Sequence, residues 1–160
     1  MASPSSDPNV ETVERLIKAP AADIFAIVAD PTRHHEIDGS GTVQGVKEEA
    51  TASSTPLTLG STFSMKMKVG APYTMVNTVV EFEPDRLIAW QPRPNNKIMG
   101  TFVGGRIWRY ELIPQDGGTL VKESWDISEE KVPSFMLKPM RKSTREAMTK
   151  TLERLEQAVA

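Results

Sequence analysis

Two charged side chains fall on strand faces that are otherwise apolar, and their chemistry sets the first question. From Phe102 to Ile113 (FVGGRIWRYELI), Arg106 shares a face with Trp108, Tyr110 and Leu112. From Thr119 to Ile127 (TLVKESWDI), Glu123 shares a face with Val121, Trp125 and Ile127. Asp116-Gly117-Gly118 joins the two segments as a hairpin, which sets Glu123 near Trp108 or Tyr110 and one register step from Arg106. An arginine and a glutamate on an aromatic wall can hold the polar end of a ligand, or they can neutralise each other as a buried ion pair. We expect the ion pair. For acid-base chemistry such as cyclisation or dehydration the candidates are His34, Tyr110, Glu123 and Arg106. Their spacing is diagnostic of no reaction, so no catalytic residue is assigned.

His34-His35-Glu36-Ile37-Asp38 invites a metal reading, which helix geometry weakens. Neighbouring side chains on a helix point about 100° apart, so His34 and His35 do not readily chelate one ion. Only His34 with Asp38 has a usable spacing, and a third ligand would have to come from elsewhere. We therefore expect no metal, and place His34 at a pocket. The chain has no cysteine, which excludes disulfides and thiolate chemistry. Neither a G-x-S-x-G elbow nor a phosphate-cradling glycine loop at a helix start is present, and no cofactor is expected.

The elements that must position these residues begin with the last stretch, Pro133 to Ala160. Met140, Thr144, Met148, Leu152, Leu155 and Val159 recur at helical spacing on one stripe, with Ser134 expected as N-cap and Pro139 at a bend. The outer face, Lys138 to Arg154, holds six Lys or Arg and two Glu. We read it as solvated rather than as a membrane surface. Upstream, Val10 to Ala19 is a strand, Ala21 to Ala29 a short helix, and Thr32 to Ile37 a second one opened by Asp30-Pro31. Six strands follow: Thr42–Glu49 near an edge, Ser61–Val69, Tyr73–Glu83, Arg86–Gln91, Phe102–Ile113 and Thr119–Ile127. Thr51–Gly60 and Pro92–Gly100 read as loops. Phe63, Met65 and Met67 face inward on their strand. Methionine suits a cavity that accepts varied shapes, so Met65 and Met67 opposite Met140 and Met148 predict a pocket rather than a filled core.

Composition bounds the rest. At 160 residues the chain suits one domain, residues 10–160, preceded by a tail 1–9 expected to be disordered and without the apolar run of a signal peptide. With 19 basic and 21 acidic side chains the net charge is -2, which gives no pull towards nucleic acid. No apolar run spans a membrane, and we expect a cytoplasmic protein without stable membrane insertion.

Ile17-Lys18-Ala19-Pro20-Ala21-Ala22-Asp23-Ile24-Phe25, followed by Asp30-Pro31-Thr32-Arg33-His34, resembles the opening of the START-like (SRPBCC) superfamily, closest to its bacterial polyketide cyclase/dehydrase and lipid-transport branch. The resemblance covers residues 10–160. It implies an α+β helix-grip fold: a curved antiparallel sheet of about seven strands wrapped around the long C-terminal helix, with a cavity between them. It specifies fold well and chemistry poorly, since its members include carriers, receptors, aromatases and proteins of other roles. The expected function is binding of a small hydrophobic molecule, a lipid, polyketide or aromatic, by Phe63, Met65, Met67, Trp90, Met99, Arg106, Trp108, Tyr110, Glu123, Trp125, Phe135, Met136, Met140, Met148 and His34. A cyclase, aromatase or dehydratase in the same cavity is the alternative, and a partner-binding module with a vestigial cavity is the third reading. Counting strand ends places the entrance at Asn95–Gly100 and Phe135-Met136, with that loop as a mobile lid.

Overall fold

The computed structural model describes residues 7–41, 43–46, 56–69 and 71–160; the side chains of 43–46, 66–69 and 71–73 are left out of the description. Seven antiparallel strands form one sheet in the order β1-β7-β6-β5-β4-β3-β2. They are β1 (Val10–Ile17), β2 (Val43–Val46), β3 (Thr62–Val69), β4 (Ala71–Glu83), β5 (Leu87–Pro94), β6 (Ile107–Gln115) and β7 (Gly118–Asp126). The first strand pairs with the last, so β1 and β2 are the two edges. Each remaining pair is a sequence neighbour, as a meander requires. A register shift between Val79 and Glu81 in β4 marks a bulge, which bends the strand and helps curl the sheet.

The helices are α1 (Ala21–Val28), α2 (His34–Ile37), α3 (Lys97–Phe102), α4 (Ser134–Leu137) and α5 (Arg141–Val159). Asp30 caps the 3-10 turn Pro31–Arg33 ahead of α2 by accepting from the Thr32 N–H at 3.0 Å. Pro139 lies in a second 3-10 turn, Lys138–Met140, and the regular helix begins two residues later.

Several boundaries differ from the sequence reading. Pro92–Gly100 is not a loop: β5 continues to Pro94, and α3 follows, capped by the Asn96 carboxamide oxygen accepting from Ile98 and Met99 N–H. Both prolines of β5 fall beyond Trp90, the last of its residues paired with β6, where no ladder donor is needed on that side. Strand β6 starts at Ile107 rather than Phe102, because Phe102 ends α3 and Gly104-Gly105 turn the chain with φ of 120° and 114°. A Cβ on Gly105 would overlap the Glu129 carbonyl, so that close approach needs glycine. Ser134 is the first residue of α4, not its cap; Pro133 holds the cap position with no side-chain bond. At the N-terminal end, the Pro8 and Asn9 carbonyls accept from Arg141 Nη1 at 2.6 Å and Ile127 N–H at 2.9 Å.

Packing divides the interior in two. The larger core joins Ile17, Ile24, Phe25, Val28, Val121 and other sheet residues to Leu152 and Leu155, the C-terminal half of the α5 stripe. A smaller one gathers Trp125, Ile127, Leu137 and Met148. The first turns of α5, ahead of Met148, are held instead by charge. Glu11 on edge strand β1 is buried and accepts from Arg141 Nε at 3.0 Å and from Arg145 Nε. Burial works against the Glu11 carboxylate, but the bonds from Arg145 and Arg141 outweigh it and hold its pKa below the ordinary value.

That clasp gives a pH-dependent prediction. Since the native pKa lies below the unfolded one, the stabilisation is present above 4.5 and is lost as the pH falls through the depressed native value. Glu11→Gln should cost about 1–3 kcal/mol in urea unfolding at neutral pH. The gap to wild type should close as the pH is lowered.

Candidate functional site

Between the concave sheet and the N-terminal half of α5 lies a cavity of about 980 Å³. Its sheet wall is a direct consequence of register. Trp90 on β5 pairs with Trp108 on β6, and Trp108 pairs with Trp125 on β7, so all three tryptophans of the chain stand in one cross-strand row. All three line the cavity. The next row is Ile88, Tyr110 and Glu123. The helix wall is made of small residues: Ser143, Thr144, Ala147 and Thr151 line the space beside Met140 and Met148. The turn after α2 closes a third side with Ile37, Asp38, Gly39 and Ser40. Gly39 is pressed onto α5, its N–H donating to Thr151 Oγ1 at 2.9 Å, and a Cβ there would overlap the Ala147 carbonyl.

An aromatic stack continues the wall. The His34 ring lies on Trp90 with centroids 4.9 Å apart and planes 20° apart, and Trp90 is 5.5 Å from Tyr110. Phe63 meets both His34 and Trp90 edge-on from behind. His34 Nε2–H donates to the Val28 carbonyl at 2.7 Å. Burial outweighs the Val28 bond and the charges of Asp30 and Asp38 and lowers the His34 pKa to about 4, so the ring is neutral near pH 7.

The expected Arg106–Glu123 ion pair is absent. Arg106 precedes β6 rather than lying within it, and its Nε donates to Glu130 Oε2 at 2.9 Å. Glu130 also accepts from the Gly104 N–H at 2.7 Å, so this carboxylate ties the Gly104-Gly105 turn to the segment ahead of α4. Glu123 faces a different partner: the Tyr110 hydroxyl donates to its Oε1 at 2.9 Å. Its Oε2 is buried and has no hydrogen-bond partner among the described residues. Desolvation dominates, the Tyr110 bond opposes it, and the charge of Asp38 adds to it; the Glu123 pKa rises to about 8. A buried carboxyl that lacks a cation therefore sits in the cavity wall as a neutral acid near pH 7.

Of the fifteen candidates, eleven line the cavity: His34, Met65, Trp90, Met99, Arg106 and Trp108, with Tyr110, Glu123, Trp125, Met140 and Met148. Phe63 lies behind the wall, and the Met67 side chain falls outside the described residues. Phe135 and Met136 do not line it. In the single turn of α4 it is Leu137 that turns inward, against the smaller core, which leaves Phe135 71% and Met136 57% exposed. The sequence reading passed over Asn77, Ser143, Ala147 and Thr151, while it placed Asn95 and Asn96 in the entrance loop and Thr144 on the helix stripe. Asn77 shares a strand face with Met75 and Val79, and Ser143, Ala147 and Thr151 each follow a stripe residue (Met140, Thr144, Met148) by three positions, so parity and helical spacing held the signal. The six cations counted on the outer face of the last helix are not all free. Arg141 and Arg145 hold Glu11, and Arg154 Nη1 donates to the Asp38 carbonyl at 2.6 Å.

A curved sheet gripping a terminal helix, with a roomy pocket between them, defines a cavity-bearing helix-grip domain. The chain belongs to the polyketide cyclase/dehydrase and lipid transport family, whose profile matches residues 10–160, within the START-like superfamily. An uncharacterized protein of Mycobacterium tuberculosis, Rv0088, is 50% identical over 76 residues, 46% of this chain; the chain covers 32% of that protein's length. Among solved structures, CV1439 of Chromobacterium violaceum superposes with a TM-score of 0.70 at 16% identity, covering 96% of this chain and 98% of that one. The di-domain ARO/CYC StfQ from the steffimycin biosynthetic pathway superposes with a TM-score of 0.67 at 11% identity, covering 93% of this chain and 49% of that one. At such identities these structures show the shared fold alone. Among the described residues, no helix is long and apolar enough to cross a membrane.

Two opposed titrations follow. The Glu123 native pKa lies above its unfolded value, so its contribution to stability is present below 4.5 and is lost as the pH rises to about 8. His34 runs the other way: its native pKa is lowered, so stability is lost as the pH falls from 6.5 towards about 4. Glu123→Gln should flatten the alkaline limb and leave the acid limb unchanged in pH-dependent unfolding. Tyr110→Phe removes the one bond that lowers the Glu123 pKa, so carboxyl-detected NMR should find it titrating higher than in wild type.

Proposed function

We propose that the protein binds a small hydrophobic molecule, a lipid, polyketide or aromatic, in the cavity between the sheet and α5. The observation that carries the reading is the row Trp90–Trp108–Trp125 along a space of about 980 Å³, which is at the upper end of the several hundred to about 1,000 Å³ usual for small-molecule sites. Trp90 and Trp108 are only half-buried, so apolar surface faces that space, and an apolar occupant removes it from water, while the buried Trp125 closes the row. The entrance is at α3 and the start of α5. Met99 and Met140 line the cavity and are 53% and 42% exposed, and Ile98 and Phe102 on α3 are exposed beside them.

A second reading, a cyclase, aromatase or dehydratase, is favoured by one feature: Glu123 keeps a proton near neutral pH and stands in the cavity wall. His34 is a poor base for such a reaction, because it is buried with a pKa lowered to about 4. A partner-binding module with a vestigial cavity draws no support from so large a space.

Native mass spectrometry of the purified protein, before and after organic extraction, tests the leading reading. A mass excess that extraction removes is expected. An unliganded mass, together with no uptake of added naphthalene, would overturn it. Thr144→Trp should fill part of the space and lower naphthalene affinity by about tenfold while the protein stays folded. Hydrogen exchange locates the entrance: amides of α3 should exchange quickly and slow on ligand addition, whereas slowing around residues 56–60 instead would put the entrance at the opposite end.

A further inference from the structure

Among the described residues that line the cavity, Glu123 Oε2 is the one buried side-chain polar atom without a hydrogen-bond partner. Tyr110 O–H donates to Glu123 Oε1, which makes Oε1 the carbonyl-type oxygen of a neutral carboxyl group. The acid hydrogen then belongs on Oε2, and Oε2 is the atom with no partner among the described residues. Glu123 is 4% exposed, so bulk water does not freely satisfy it. Other polar groups at the wall are engaged: Asn77 Nδ2 donates to the Phe63 carbonyl, His34 to Val28, and Arg106 to Glu130. Beside Oε2 stands the row of three indoles, with Trp125 two residues along the same strand face and Trp108 its register partner.

We propose that Glu123, positioned by Tyr110, is the polar anchor of the cavity and donates the hydrogen on Oε2 to an acceptor oxygen, so that the cavity selects flat apolar molecules carrying a carbonyl over the same skeletons without one. The inference rests on the ligand-binding reading above and adds the chemical class of the ligand. A carbonyl completes the open valence at Oε2, and the indole row covers the flat apolar remainder. An anionic headgroup is the wrong complement, because Glu123 becomes anionic itself as soon as it loses the proton.

Loss of that proton reverses the site from donor to acceptor, so selection for the carbonyl fades above a pH of about 8. The groups that bear on this titration come from several elements. Tyr110 from β6 opposes the upward shift, and Asp38 after α2 strengthens it. His34 is neutral, Arg106 is tied to Glu130, and Glu146 and Lys150 line the cavity from α5, where both side chains are exposed.

The test uses a matched pair of probes, 2-acetylnaphthalene and 2-ethylnaphthalene, read by quenching of tryptophan fluorescence. All three tryptophans line the cavity, so the signal reports on occupancy. Wild type should prefer the ketone by about tenfold at a pH about two units below the Glu123 value, and lose the preference about two units above it. Glu123→Gln keeps a donor of the same shape and should hold the preference at both pH values. Glu123→Leu should bind the two probes alike. Equal binding of both probes by wild type, or a ketone preference that survives in Glu123→Leu, overturns the anchor and leaves the cavity reading standing. If neither probe quenches the fluorescence of any variant, the cavity reading fails and the anchor fails with it.

Discussion

The fold depends on a mismatch of widths. Seven strands curl around one terminal helix, and a helix covers apolar surface only along a narrow stripe. Where the stripe carries Leu152 and Leu155 the gap closes, and the larger core forms with α1 and β1. About one and a half to two and a half turns before Leu152 the same helix presents Ser143, Thr144 and Ala147, side chains too small to fill the space to the sheet. The sheet answers with its three largest side chains and still leaves the space unfilled. The pocket is thus written into the volume gradient along α5.

A helix that fills its groove only at one end needs other ties at the other end. Arg141 and Arg145 grip Glu11 on the edge strand, Arg141 also donates to the Pro8 and Val10 carbonyls, and Gly39 bonds Thr151 across the far side. These ties hold the walls apart at fixed distance without placing side chains in the space between. They are polar and peripheral, so they set geometry while the hydrophobic core sets stability. Glu123 then stands out, because every other buried carboxylate described above, Glu11 and Glu130, has an arginine, and Glu123 has only a tyrosine hydroxyl.

Much of this was legible in the sequence, and the failures have physical causes. Strand parity put Trp108, Tyr110, Glu123 and Trp125 on one face, and the spacing of Met140, Thr144, Met148, Leu152 and Leu155 gave the gripped stripe. The START-like resemblance supplied the wrapping of one around the other. Parity placed Arg106 at the cavity, but the expected pair with Glu123 failed because it assumes an unbroken strand, and two glycines with positive φ break it just upstream. Residues 97–100 read as loop and Phe102 as the start of a strand, since a six-residue helix is too short for periodicity to rise above a Pro-Asn-rich background. Phe135 and Met136 misled in another way: apolar residues at a helix start need not face the pocket, and there Leu137 takes the inward position.

The central claim is that one open cavity is walled by all three tryptophans of the chain. Nitrogen-15 NMR of the indole side chains tests it directly, with naphthalene as titrant. The Nε1–H signals of Trp90, Trp108 and Trp125 should shift together along a single saturation curve, while the backbone amides of Ile24 and Val28, packed in the larger core, stay fixed. Three indole signals that ignore the titrant, or that saturate at unrelated concentrations, would contradict the account.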